Sequence, residues 1–335
     1  MLLGLLLAVL ISPERPIAPP QSHQPAIAAG GAHEALAVWT AGTVARAVHL
    51  RDGVADSAVV DVGPTTARPE VAFDGDHYLV VTVDSGVFGR RFERDGAPLD
   101  AAPFFIVQAS AARVAFDGRD FVVAAAVDGD LVITRVGSGE QVPVHHPVSG
   151  EQMHGPLAVA SNGAGSIVLW NENQGSLWAS VVSRDGIATG PIFVADLVAW
   201  QPSIAWTGSS YTIAWIDPMD HHLVHWVQLD AAGTLTGAAG RHWPSAFTSS
   251  TAVARLSDGA LIAWAEEAVV RGIRVGANAG GPFTIATASN PALASDGGDA
   301  QLVYERDGQI FARDIHEPSP SRRRAAHPAL TSPSD

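Results

Sequence analysis

PEVAFDGDHYLVVTVDS at residues 69–85, and its echo ARVAFDGRDFVVAAAVDG at residues 112–129, decide how this chain is read. Each begins with a short strand, turns at an Asp-Gly pair (Asp74-Gly75, Asp117-Gly118), and continues as an apolar strand that ends in an acid, Asp84 or Asp128. Asp-Gly between two apolar runs signals a tight hairpin, because such a turn needs residues with positive φ. Outward from these two copies the unit recurs. Its second strand ends at Trp39, Thr82, Ala125, Trp170, Trp215, Trp264 and Tyr304, with spacings of 43, 43, 45, 45, 49 and 40 residues. A repeat of that length is one propeller blade. Asp258-Gly259 repeats the first turn, and Asp52-Gly53, Asp95-Gly96 and Asp185-Gly186 mark a second turn between the third and fourth strands. Two hairpin turns per copy make an antiparallel meander of four strands. The runs at 78–81 and 213–215 are apolar throughout rather than alternating, as strands packed on both faces require.

One blade cannot cover both of its faces, so the copies must stack, and closing the stack into a ring removes its exposed edges. The last copy supplies strands at 291–295, 301–304 and 309–315 and then lapses into a polar tail. Its missing fourth strand is found at the other end of the chain, where Pro16-Ile17 precedes the first copy as Pro103-Phe104 precedes the third. The expected fold is therefore all-β: a seven-bladed β-propeller of four-stranded antiparallel blades, closed by an N-terminal strand near residues 15–19. The expected organisation is a signal-peptide-like segment at 1–12, a single propeller domain at 13–316 and a disordered tail at 317–335.

The copies resemble the tandem repeats of uncharacterised secreted bacterial propellers, which read approximately P-x-V-A-W-D-G-x-x-Y-L-V-V-W followed by a D-G turn. The resemblance spans about residues 15–315. It is good in the copies from Pro69 and Gln201 and weak in those from Ala246 and Asn290. It implies a fold and a secretory context only, since such repeats carry no fixed activity. The WD dipeptide, the sialidase-type S-x-D-x-G-x-T-W box and the calcium loop D-x-D-x-D-G are absent.

Composition agrees. In 335 residues, 47% are hydrophobic, 16% are charged, and 33 Gly and 22 Pro punctuate short apolar runs, which favours many short strands over long helices. A net charge of −14, spread along the chain, disfavours nucleic acid and anionic membrane as partners. All 20 basic residues are arginine, which removes lysine-dependent phosphate loops and Schiff bases. There is no cysteine, so disulfides, thiolate metal sites and cysteine nucleophiles are excluded. MLLGLLLAVLIS at 1–12 has the length of a signal-peptide apolar region and is too short to span a bilayer. A secreted or periplasmic bacterial protein is expected, with no integral membrane segment in the mature chain.

Three features carry chemical potential. A carboxylate follows the second strand in six copies: Asp84, Asp128, Glu172, Asp217, Glu266 and Asp307, with Glu267 and Glu305 alongside. Such a ring, on the face of the blade-to-blade connections, could hold calcium, bind a cationic or sugar ligand, or supply a general acid. Acids are also ordinary in solvated loops, and the first copy (Thr40, Ala41, Gly42) has none, so the loops are read as a ligand-facing rim without a cofactor. Asp220, His221, His222 and His225 form the densest set of metal-ligand types, His145-His146 and His154 being less specific. Strand alternation lets only His221 and His225 converge, with Asp220, and a polar loop is the preferred reading. Trp39, Trp170, Trp215 and Trp264 recur at one position inside apolar strands and read as core between blades. Trp178, Trp200, Trp226 and Trp243 fall off that position and are the candidates for exposed aromatics. The expected function is non-enzymatic binding of a protein or glycan partner. The alternative is a glycan-active hydrolase or lyase using carboxylates at the funnel mouth.

Overall fold

The computed structural model describes residues 10–31, 33–145, 153–172, 175–196, 199–236, 239–277 and 279–316. These residues form seven antiparallel sheets arranged as the blades of a propeller, with no helix among them. The innermost strands, in chain order, are Ser22–Gly31, Glu70–Phe73, Ala112–Phe116, Met153–Ser161, Trp200–Trp206, Thr248–Leu256 and Ser289–Ser295. Each contacts the next, and the seventh contacts the first, so they wall a central channel. The spacing reading holds in detail: Trp39, Thr82, Ala125, Trp170, Trp215, Trp264 and Tyr304 all lie in the second strand of their blade, and all are buried.

Seven hydrophobic clusters lie between neighbouring blades. Successive residues of a second strand point to opposite faces. In blade two, Tyr78 and Val80 therefore join the cluster shared with blade one, while Leu79 and Val81 join the one shared with blade three. This two-sided burial is why the runs are continuously apolar. Trp39, Trp170 and Trp264 are wholly buried and Trp215 is nearly so, each within one of these interfaces. Asp52-Gly53, Asp128-Gly129 and Asp307-Gly308 make two-residue turns with positive φ at both positions, 51° and 67°, 51° and 92°, and 52° and 69°.

The ring closes as expected. Arg15–Pro16 pairs antiparallel with Gln309–His316, aligning Arg15 with Ala312 and Pro16 with Phe311, and the Ile17 amide donates to the Ile310 carbonyl at 2.9 Å. Leu10–Ile11, the end of the apolar run, extends the same edge opposite Ile315 and His316. Between the two short pairings Glu14 acts as a clasp. Its carboxylate accepts from Tyr304 Oη at 2.8 Å, from Arg306 Nη1 at 2.9 and 2.8 Å, and from Arg313 Nη2 at 3.3 Å. Burial alone would raise this carboxyl, but those hydrogen bonds and the two guanidinium charges outweigh it and hold Glu14 below its usual value. The segments 1–9 and 317–335 lie outside the described residues.

Candidate binding face at the channel mouth

The second strands end, and the inner strands begin, on one face of the ring, where the channel opens. Five inner strands carry an X-Pro step within a few residues of their start: Gln24-Pro25, Arg68-Pro69, Gly155-Pro156, Gln201-Pro202 and Asn290-Pro291. Gln24, Gln201 and Asn290 take left-handed φ values of 53°, 45° and 48°, and the strand register shifts beside each of them. These are β-bulges, which re-aim side chains where a strand meets a functional opening. The channel holds a cavity of 560 Å³ whose exposed wall is more polar than apolar, with Arg68, Glu70, Arg113, Asn171 and Gln201 among its polar residues and Trp200 beside them.

The structure separates the six predicted carboxylates into two groups, and none of them lines that cavity. Asp84, Asp128 and Asp307 are exposed turn residues. Glu172, Asp217 and Glu266 are buried at the ends of their strands, each with its own partners. Glu172 meets His145 of the preceding blade at 2.7 Å, and that imidazole stacks on Trp170. Asp217 accepts from the amides of Met219 and Asp220 at 2.9 and 3.2 Å and lies 3.9 Å from His225, which stacks on Trp215. Glu266 accepts from the Ser245 amide at 2.7 Å, from the Ser245 hydroxyl and from Trp264 Nε1, and pairs with Arg271 at 2.8 Å. Burial would raise Glu266, but these donors hold it below the usual carboxylate range. Glu305, from the flanking pair, is clamped by His23 at 2.8 Å, Asn290 at 2.9 Å and the Gln24 amide at 3.3 Å. Of these acids, Glu172 and the flanking Glu305 join neighbouring blades, whereas Asp217 and Glu266 are held by their own blade and its loops.

Among the described residues no group of three or more His, Asp or Glu stands where it could hold a metal ion. Asp220, His221 and His222 occupy the turn before Leu223–Leu229, both histidines with left-handed φ, while His225 lies within that strand against Trp215. Burial pushes the His225 imidazole down from its ordinary value, and Asp217 only partly offsets this. His242, packed on Trp264 with Glu266 nearby, is lowered for the same reason. His146 and the side chain of His154 lie outside the described residues.

Aromatic residues gather on this face instead. Trp200 is 44% exposed, Phe247 47% and Trp243 54%. His222 lies between the first two, 6.1 Å from the Trp200 ring and 4.3 Å from Phe247, and Trp200 meets Phe247 edge-on at 6.3 Å. His221 lies 6.2 Å from Trp243, over which the Arg241 guanidinium also sits. Off-position indoles were the sequence signal for this shelf, and Trp200 and Trp243 answer to it. Trp178 and Trp226 are only partly exposed, packed against Phe193 and Gly240 respectively. Phe247 and the channel arginines were missed, and His222 was read only as a potential metal ligand. The X-Pro steps near the start of the inner strands were the available signal for Arg68.

No family model matches the chain, and no curated protein matches it. Solved structures do. Virginiamycin B lyase from Staphylococcus aureus, a catalytically inactive form with quinupristin, is 10% identical with a TM-score of 0.61, over 91% of this chain and 99% of that one. Kuenenia stuttgartiensis hydrazine synthase is 12% identical with a TM-score of 0.62, over 88% and 94%. The Cps50 (Swd1) β-propeller domain of Myceliophteria thermophila is 10% identical with a TM-score of 0.61, over 89% and 98%. At this level of identity, what the chain shares with all three is the fold.

Proposed function

We propose that this protein is an exported, non-enzymatic β-propeller that binds a protein or glycan partner through the channel-mouth face. The observation that carries the reading is the aromatic shelf of Trp200, His222, Phe247 and Trp243, exposed beside the opening of a 560 Å³ cavity. Exposed indoles flanked by polar groups are what saccharide rings and protein hot spots both dock against. The likeness to WD40 repeat propellers such as that of RRP9 supports a protein partner. Export rests on the apolar run at 1–12 and on the resemblance to secreted bacterial repeats. The binding role requires no cofactor, calcium included.

The hydrolase alternative needs two carboxyl groups about 5 to 9.5 Å apart across a sugar-sized space. Glu70 is the sole carboxylate among the described residues lining the cavity, and it faces Arg113 at 3.7 Å. Binding is therefore the better reading. Its test is an oligosaccharide array and a panel of surface-protein ectodomains presented to the full chain, followed by titration of any hit against Trp200→Ala and Trp243→Ala. At least a tenfold loss of affinity in one of them is expected, and undiminished binding in both would refute the shelf.

A further inference from the structure

Among the described residues, one channel cation, Arg68, lacks a hydrogen-bonding partner in a chain whose net charge is −14. Arg68 lines the cavity just before the inner strand Glu70–Phe73, and it makes no hydrogen bond to any described residue; its Nε is buried without a partner. Glu70, the carboxylate among the described residues of the wall, is engaged by Arg113 at 3.7 Å. Burial depresses the affinity of Arg68 for its proton, Glu70 partly offsets this and Arg113 adds to it. A guanidinium remains protonated at neutral pH even so. Arg68 is partly exposed to the channel, so water offsets part of the cost of leaving this charge without a protein acceptor, and a ligand that supplies the missing charge would remove the rest.

We propose that the central channel is a carboxylate-binding site, in which Arg68 receives the carboxylate of a small organic acid. The guanidinium fork matches a carboxylate with two parallel hydrogen bonds, a geometry that an ammonium cannot offer. The cavity, at 560 Å³, lies within the range of small-molecule pockets. Gln201 and Trp200 line the same space and offer an amide and an indole to the remainder of the ligand. The site shares Trp200 with the shelf but does not need Trp243, which is not part of the cavity wall.

Calorimetric titration of the full chain with D-glucuronate, with D-glucose as the neutral control and ionic strength held constant, tests this. Saturable binding of one glucuronate per chain and none of glucose is expected, with affinity at least tenfold weaker in Arg68→Gln and unchanged on Asp61→Ala substitution in an outer strand. Arg113→Gln frees Glu70 to pair with Arg68 and should also weaken binding. A glucuronate-containing trisaccharide that binds more tightly than the monomer would assign the carboxylate to a glycan, and equal affinity would assign it to a free acid; either supports the site. Arg68→Gln also removes an unpaired charge, so its unliganded melting temperature should equal or exceed that of the parent. Absence of glucuronate binding, undiminished binding by Arg68→Gln, or a lower melting temperature of that variant would overturn the proposal.

Discussion

Replacing Glu14 by alanine tests how the ring is held shut. The side chain accepts from Tyr304, Arg306 and Arg313, so a residue at one end of the chain fastens the last blade. A hydrogen bond to a charged group contributes about 1.5–3 kcal/mol when buried, and an exposed ion pair about 0.2–1 kcal/mol. The Glu14, Arg306 and Arg313 side chains are 31%, 30% and 22% exposed, which places the network between those limits. A total of about 2–3 kcal/mol follows, because water can re-solvate the released donors. At roughly 2 °C per kcal/mol for a domain of this size, the melting temperature should fall by about 4–6 °C. Differential scanning calorimetry reads this directly, with Asp61→Ala, which removes the exposed pair with Arg46, as a control expected to change stability by no more than about 0.5 kcal/mol. The pH dependence has a fixed sign. Glu14 titrates below its ordinary value of 4.5 in the folded state, so its contribution is complete above that pH and is lost as pH falls through the lowered value. The gap between parent and variant should therefore narrow on acidification below 4.5. An unchanged melting temperature in Glu14→Ala, or a gap indifferent to acid, would refute the clasp.

Trp264→Ala, in the interface between blades five and six, should cost about 3–5 kcal/mol in a denaturant titration while leaving any ligand affinity of the folded protein unchanged. Asp117→Ala should cost about 1.5–3 kcal/mol, because it removes the nearest acceptor of the buried Arg135, at 2.6 Å, while Asp120 at 3.2 Å and Glu140 at 3.4 Å still compensate the charge. The Asp217→Asn, Glu266→Gln double variant should be less stable than the parent, since both carboxylates have dedicated donors, and calcium should shift the melting temperature of neither protein. His225 and His242 titrate below 6.5 in the folded state, so they favour folding above that pH; stability should decline as pH falls beneath it, and less steeply in a His225→Gln, His242→Gln variant.

The fold was legible because blade packing imposes one demand at one position, seven times over. Whatever occupies the end of the second strand must fill an interface, and Trp39, Ala125 and Tyr304 do so with different volumes at nearly the same spacing. Closure was legible for the same reason, since an unpaired last blade required a strand from elsewhere. The acidic positions recur as regularly, yet their fates differ because neighbours outside the repeat decide them. Glu172 is buried by His145 of the preceding blade and Glu266 by Ser245 from a connecting loop, whereas Asp128 and Asp307 are drawn into turns that need left-handed residues. The shelf was half visible. Trp200 and Trp243 departed from the repeat and so announced themselves, but Phe247 and His222 join them only through loops that the ring brings together.

The most direct test of the channel-mouth face is hydrogen exchange of the chain with and without a ligand identified by the array or the ectodomain panel. Slowed exchange is predicted at residues 200–203, 219–223 and 243–247, with exchange in the outer strand Phe104–Val107 unaffected. Protection confined to the outer strands, with the mouth loops exchanging as in the free protein, would contradict it.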